Sequence, residues 1–225
     1  MSFVESGKWL CMMAIAEATA ASFVIPAAIP MTVMIGLSYS DPGAMETAGA
    51  EWKQTAKELE NMKDELKQMA AGVPEEKWSA KDREAFNKAL EQYSQELDKV
   101  HGFTGDVGDM LDMASKIFFA FAVLAFALAQ ILAIQALAII AASWTVVGAA
   151  ALMAAANATA GVFDGIIAAS SISLKTAVLL IGGIIGAGMI VYSQTAGKGA
   201  NPDGSGPVMF KKAQIAPGGM PNLSV

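Results

Sequence analysis

From Ala44 onward the apolar positions fall on a seven-residue period: Met45, Trp52, Leu59, Leu66 and Val73, with Ala48, Thr55, Met62 and Met69 three places after the first four. Such a repeat predicts an amphipathic helix with one packing seam. Its other face carries Glu51, Lys53, Lys57, Glu58, Glu60, Asp64, Glu65 and Lys67, a solvated surface with supporting Glu-to-Lys spacings. Ser40-Asp41-Pro42-Gly43 reads as the helix start, and Gly72-Val73-Pro74 as its end, because proline cannot continue a helix. A second helix is predicted from about Ser79, whose hydroxyl can cap it and which has Asp82 three residues on. The seam of that helix is Phe86, Leu90, Tyr93, Leu97, Val100, Thr104, Val107, Leu111 and Ala114, in alternating steps of four and three. Two seams joined by a short loop predict an antiparallel helical hairpin over residues 44–115. Gly102, Gly105 and Gly108 weaken its far end, which suits either a local hinge or close packing against a partner.

Beyond Lys116 the pattern changes, with 47 residues free of formal charge before Asp164. Ile117 to Ala142 is the strongest transmembrane candidate, since about 20 apolar residues cross the hydrocarbon core. Trp144 to Val162 is weaker because alanine dominates it, and Thr176 to Gly197 is a third candidate of 22 uncharged residues. Near the start, Trp9 to Leu37 is also apolar but is interrupted by Glu17, Pro26 and Pro30. That interruption argues against a secretory signal and predicts a bent or re-entrant membrane helix, with a helix packed on protein as the alternative. The expected organisation is an apolar, proline-kinked segment (1–40), the hairpin (44–115), hydrophobic membrane helices (116–197) and a Gly/Pro-rich tail (198–225). The fold class expected is all-α, an antiparallel amphipathic hairpin with three to four membrane-embedded helices.

Composition sharpens this division. The chain has 225 residues, 54% hydrophobic and 16% charged, and 26 of its 36 Asp, Glu, Lys and Arg residues lie between Glu46 and Lys116. It is a solvated module carried by apolar segments. The single cysteine, Cys11, excludes an intrachain disulfide, and together with the single histidine, His101, it cannot form a His/Cys zinc site. No nucleophile elbow or phosphate-binding glycine loop is present, so a non-enzymatic protein without cofactor, metal or catalytic residues is expected. A net charge of −6 with no basic patch speaks against nucleic acid.

Two groups of residues in the apolar part bear on function. Gly182 and Gly186, with Gly183 and Ala187 one residue on, form small-x-x-x-small stripes that let helix backbones approach closely, between copies or within the chain against Ala149 to Ala156. Gln130, Gln135, Asp164 and Lys175 are polar groups in or beside apolar spans and should face protein or water. The two glutamines lie five apart, roughly 140° round a helix, and so do not share a narrow stripe. Asp164 and Lys175 fit either the ends of an interfacial loop or a water-filled pathway.

The inter-helix loop, Glu76-Lys77-Trp78-Ser79-Ala80-Lys81-Asp82-Arg83-Glu84-Ala85-Phe86, resembles the Trp-x-Gly helical-hairpin family of type VII secretion substrates. The resemblance covers about a third of the chain. It places Trp78 in the turn, Ala80 where the family has glycine, and Phe86 early in the second helix. The family's Tyr-x-x-x-Asp export signal is absent in that form: Leu97 stands four places after Tyr93, and Ala196 four after Tyr192. The resemblance implies four-helix pairing, hence a homo-oligomer or a small related hairpin partner, and links the chain to type VII export before insertion. Together with the apolar segments it leads to an oligomeric protein in the lipid bilayer, pore-forming or membrane-remodelling. The alternatives are a non-conducting scaffold subunit and, with Pro26 and Pro30 as its hint, a small transporter.

Overall fold

The computed structural model describes residues 3–72 and 80–199, all of whose regular elements are helical. Contacts divide the chain into a unit of Met1–Ile184 and one of Ile185–Val225. Five α-helices follow in order: α1 (Gly7–Ser22), α2 (Ile29–Leu37), α3 (Pro42–Ala71), α4 (Ala80–Ala141) and α5 (Val146–Gly199).

Between α1 and α2 the chain breaks at Phe23 to Ala28, where Pro26 begins a single 3-10 turn and Pro30 stands in the first turn of α2. Proline is tolerated there because first-turn N–H groups have no intrahelical acceptor. Gly7 lies beside Phe119, and the Glu17 carboxylate meets Gln130, so α1 runs in the same direction as α4. The chain then returns, because Met34 and Leu37 of α2 share a groove with Phe118. The apolar N-terminal segment is therefore two short helices folded back on each other. At 16 and nine residues, each is shorter than the roughly 20 needed to span a bilayer.

Small residues govern this packing. Cys11, Ala14, Ala18 and Ala21 of α1 are buried in one cluster with Ala122, Ala125, Ala129, Leu132 and Ala136 of α4. Alanine on both sides lets the two helix axes approach closely. Met31 and Ile35 of α2 and Ala156, Ala160, Ile167 and Leu174 of α5 complete the same core.

The predicted hairpin is α3 against the first half of α4. Asp41 caps α3, its Oδ1 accepting the Ala44 N–H at 3.1 Å, and Pro42 fills the first helical position. Lys63 pairs with Asp98, and Lys53 reaches Asp109 at 2.8 Å, which fixes the antiparallel register. The seam itself differs from the expectation. Gly49 and Ala56 are buried, while Met62 and Met69 are 47% and 62% exposed. The buried Gly49 and Ala56 thus stand four places after Met45 and Trp52, rather than three. Glycine and alanine on that flank permit a close crossing that the larger side chains would prevent.

On α4, Leu97, Thr104, Val107 and Ala114 are buried as expected, whereas Phe86, Tyr93 and Val100 remain exposed. No hinge forms at the glycines. A single helix of 62 residues, about 93 Å long, carries both the charged arm and the apolar stretch after Lys116. Likewise the second and third apolar candidates are parts of one helix, α5. Among the described residues two helices are long and apolar enough to cross a membrane, rather than three or four.

In the unit that starts at Ile185, the described residues continue as helix to Gly199, with Ile185 and Ile190 exposed.

Candidate functional site

The surfaces on which function can rest lie at two levels. The first is the open face of the hairpin. Trp52 of α3 meets Phe103 of α4 edge-on, with ring centroids 6.3 Å apart and planes at 85°. This contact joins the exposed flanks of the two helices. Met62 and Met69 of α3 and Tyr93 and Val100 of α4 are exposed as well, apolar side chains on a charged module. Lys53 is held above the ordinary lysine range chiefly by its hydrogen bond to Asp109, and so remains a cation. At the base of α3, Lys8 lies 3.0 Å from Asp41, and this contact, with the Ala44 N–H, holds the Asp41 carboxyl below the usual range.

Trp78 lies outside the described residues. Ala80 opens α4, and Phe86 stands about one and two-thirds turns further on, 39% exposed.

The second level is the apolar layer. Gln130 Nε2 donates to Glu17 Oε1 at 2.5 Å, and Gln135 Nε2 to Thr159 Oγ1 at 3.4 Å. Their angular separation on α4 is what sends one to α1 and the other to α5. Both glutamines therefore bond within the chain. Asn157 Oδ1 accepts the Ala27 N–H at 3.2 Å, satisfying a donor that the break between α1 and α2 leaves without a helical acceptor. Asp164 sits against the backbone of Met31, with Oδ1 buried and unpartnered, as are Glu17 Oε2 and Gln135 Oε1. Lys175 is exposed and lines an apolar groove.

A β-carbon added at Gly182, Gly183 or Gly186 would meet nothing within 4 Å. Packing of these glycines against Ala149 to Ala156 of the same chain is thus not seen among the described residues. Ala187 is exposed beside them.

Sequence reasoning noticed Glu17 as an interruption but missed it as the partner of Gln130. The available signal was a second lone polar residue in another apolar run. Gly49, buried at the helix crossing, was missed as well, although a mid-helix glycine between two alanines marks a close approach.

Comparison with known families bears on the hairpin. Residues 40–118 match WXG100, proteins of 100 residues with WXG. The matched segment holds α3 and the charged half of α4, in agreement with the resemblance to the Trp-x-Gly helical-hairpin family read from the loop around Trp78. No curated protein and no solved structure matches the chain.

Proposed function

We propose that the protein is a non-enzymatic, membrane-inserting component related to type VII secretion substrates, which oligomerises in a bilayer and perforates or remodels it. The observation that carries this reading is the outer surface of the apolar layer. Leu137 and Ile134 on α4 and Val147, Val162 and Ile172 on α5 are all more than 60% exposed. A soluble monomer rarely presents so extended an apolar surface, and lipid is the solvent that suits it.

The WXG100 segment stays in water on this reading, because it holds most of the chain's charge. Its exposed apolar side chains, Trp52 and Met62 among them, are covered by a second copy or a small related hairpin. Pairing there concentrates the apolar helices, and the glycine face of α5 gives them a close contact. Repeated identical contacts close into rings. Nucleic acid has no place in this scheme, since the net charge of −6 repels phosphate.

Carbonate extraction and dye release from vesicles test the reading together. The full chain is expected to stay with the membrane pellet and to release dye, and Gly182→Leu with Gly186→Leu to lower both oligomer fraction and release. A chain found in the carbonate supernatant overturns insertion. Stable insertion without dye release or conductance favours the second reading, a structural subunit docked through its hairpin, which the extensive ion pairing of α3 with α4 also suits.

A further inference from the structure

We propose that the groove between α2, α4 and α5 binds one anionic glycerophospholipid, with an acyl chain against the apolar walls and the headgroup phosphate on Lys175. This rests on the membrane reading above. The groove has a volume of about 550 Å³, in the range of small-molecule sites, and is walled by Met34, Leu37, Phe118, Leu174 and Val178. Its lining is almost wholly apolar, which suits a hydrocarbon chain and excludes a free polar metabolite.

Charge identifies the occupant's other end. Phe118 stands two residues after Lys116, and Gly7, beside Phe119, precedes Lys8. Lys8, Lys116 and Lys175 thus lie where the charged half of α4 gives way to its apolar half, the level of a membrane interface. Lys116 is held by Asp112 at 3.0 Å and Lys8 by Asp41 at 3.0 Å. Among the described residues Lys175 has no ion pair or side-chain hydrogen bond, and it is the cation in the groove lining. The nearest charges along its own helix are Asp164, eleven residues before, and Lys198, 23 after. An exposed ammonium with no internal counter-ion, above an apolar trough at that level, is complementary to a phosphate carrying an acyl chain. Ser38 and Ser171 also line the groove and supply hydroxyls for the ester region.

Native mass spectrometry of the full chain in detergent micelles, with added phosphatidylglycerol or phosphatidylcholine, reads the site without requiring bilayer insertion. One phosphatidylglycerol per chain should be retained over phosphatidylcholine by about fivefold, the factor given by roughly 1 kcal/mol for one interfacial lysine. Lys175→Ala should erase the preference and Lys175→Arg keep it. Val178→Trp, which fills the groove from a half-exposed position, should lower retention of both lipids. Equal retention of the two lipids, or a preference unchanged in Lys175→Ala, overturns the proposal. Displacement of bound lipid by glycerol phosphate without chains would assign the cation to free phosphate and overturn it too. Flotation with vesicles is read separately: failure to float defeats the membrane reading, while micelle retention still decides the groove.

Discussion

Gly49 and Gly108 face each other where α3 crosses α4, so closely that a β-carbon built on either would stand 2.9 Å from the other's carbonyl oxygen. A contact that short has no room for a side chain. Gly49→Leu or Gly108→Leu should therefore separate the helices and destabilise the detergent-solubilised chain by about 1–3 kcal/mol, as other overpacked contacts do, with a lower thermal midpoint. Gly102→Ala and Gly105→Ala meet nothing within 4 Å and should instead raise stability by about 0.5–1 kcal/mol through helix propensity. Circular dichroism melts of the four variants check both signs.

The bond between Glu17 and Gln130 makes a second prediction. Gln130→Ala removes the donor and leaves a half-buried carboxylate against the apolar layer, at a cost of about 1–3 kcal/mol. Replacing both residues with leucine should be close to neutral, since no polar group is then left unpaired. A double-mutant cycle by chemical denaturation distinguishes a true pair from two independent surface groups.

Asp41 predicts an acid limb. Its carboxyl is lowered by Lys8 and by the Ala44 N–H, so its contribution is present above the ordinary aspartate value, about 3.9, and disappears as pH falls through the lower folded value. Stability should decline below about pH 4 in the wild type. Asp41→Asn keeps the cap but loses the charge, and should remove this part of the decline at a cost under about 1 kcal/mol, because both partners are partly exposed. Melts from pH 2.5 to 6 read the difference.

Met62→Glu with Met69→Glu should leave helicity intact, because both side chains project from the open flank of α3. If this flank is the pairing face, cross-linking of the full chain in detergent should fall several-fold, since burying two carboxylates at an apolar contact is unfavourable. Unchanged cross-linking would move the self-contact elsewhere.

The sequence pattern made the hairpin legible but pointed to the wrong flank of α3. A period of seven allows the second seam position to come three or four residues after the first, and hydrophobicity favours Met62 and Met69. Close approach at Gly49 and Ala56 decides for the other flank, and backbone proximity is not a property of hydropathy. In the same way Pro26 and Pro30 announced a break in the N-terminal run without announcing the return of α2. Alanine complementarity between α1 and α4 supplies that, and it exists only once the two are side by side. The α5 glycines stand out in the sequence as a small-residue stripe, but the pairing of Gln130 with Glu17 joins positions 113 residues apart.

The unbroken run of α4 through Lys116 makes the helix a shaft. Leu97 and Val107 on the hairpin and Ala125 and Leu132 in the apolar layer are turned to their partners by the same screw, and nothing between them can slip. Docking the charged arm therefore sets the azimuth at which the apolar half meets its surroundings. One residue inserted after Lys116 would twist the two ends by about 100° relative to each other, and four would nearly restore their phase while lengthening the shaft by about 6 Å.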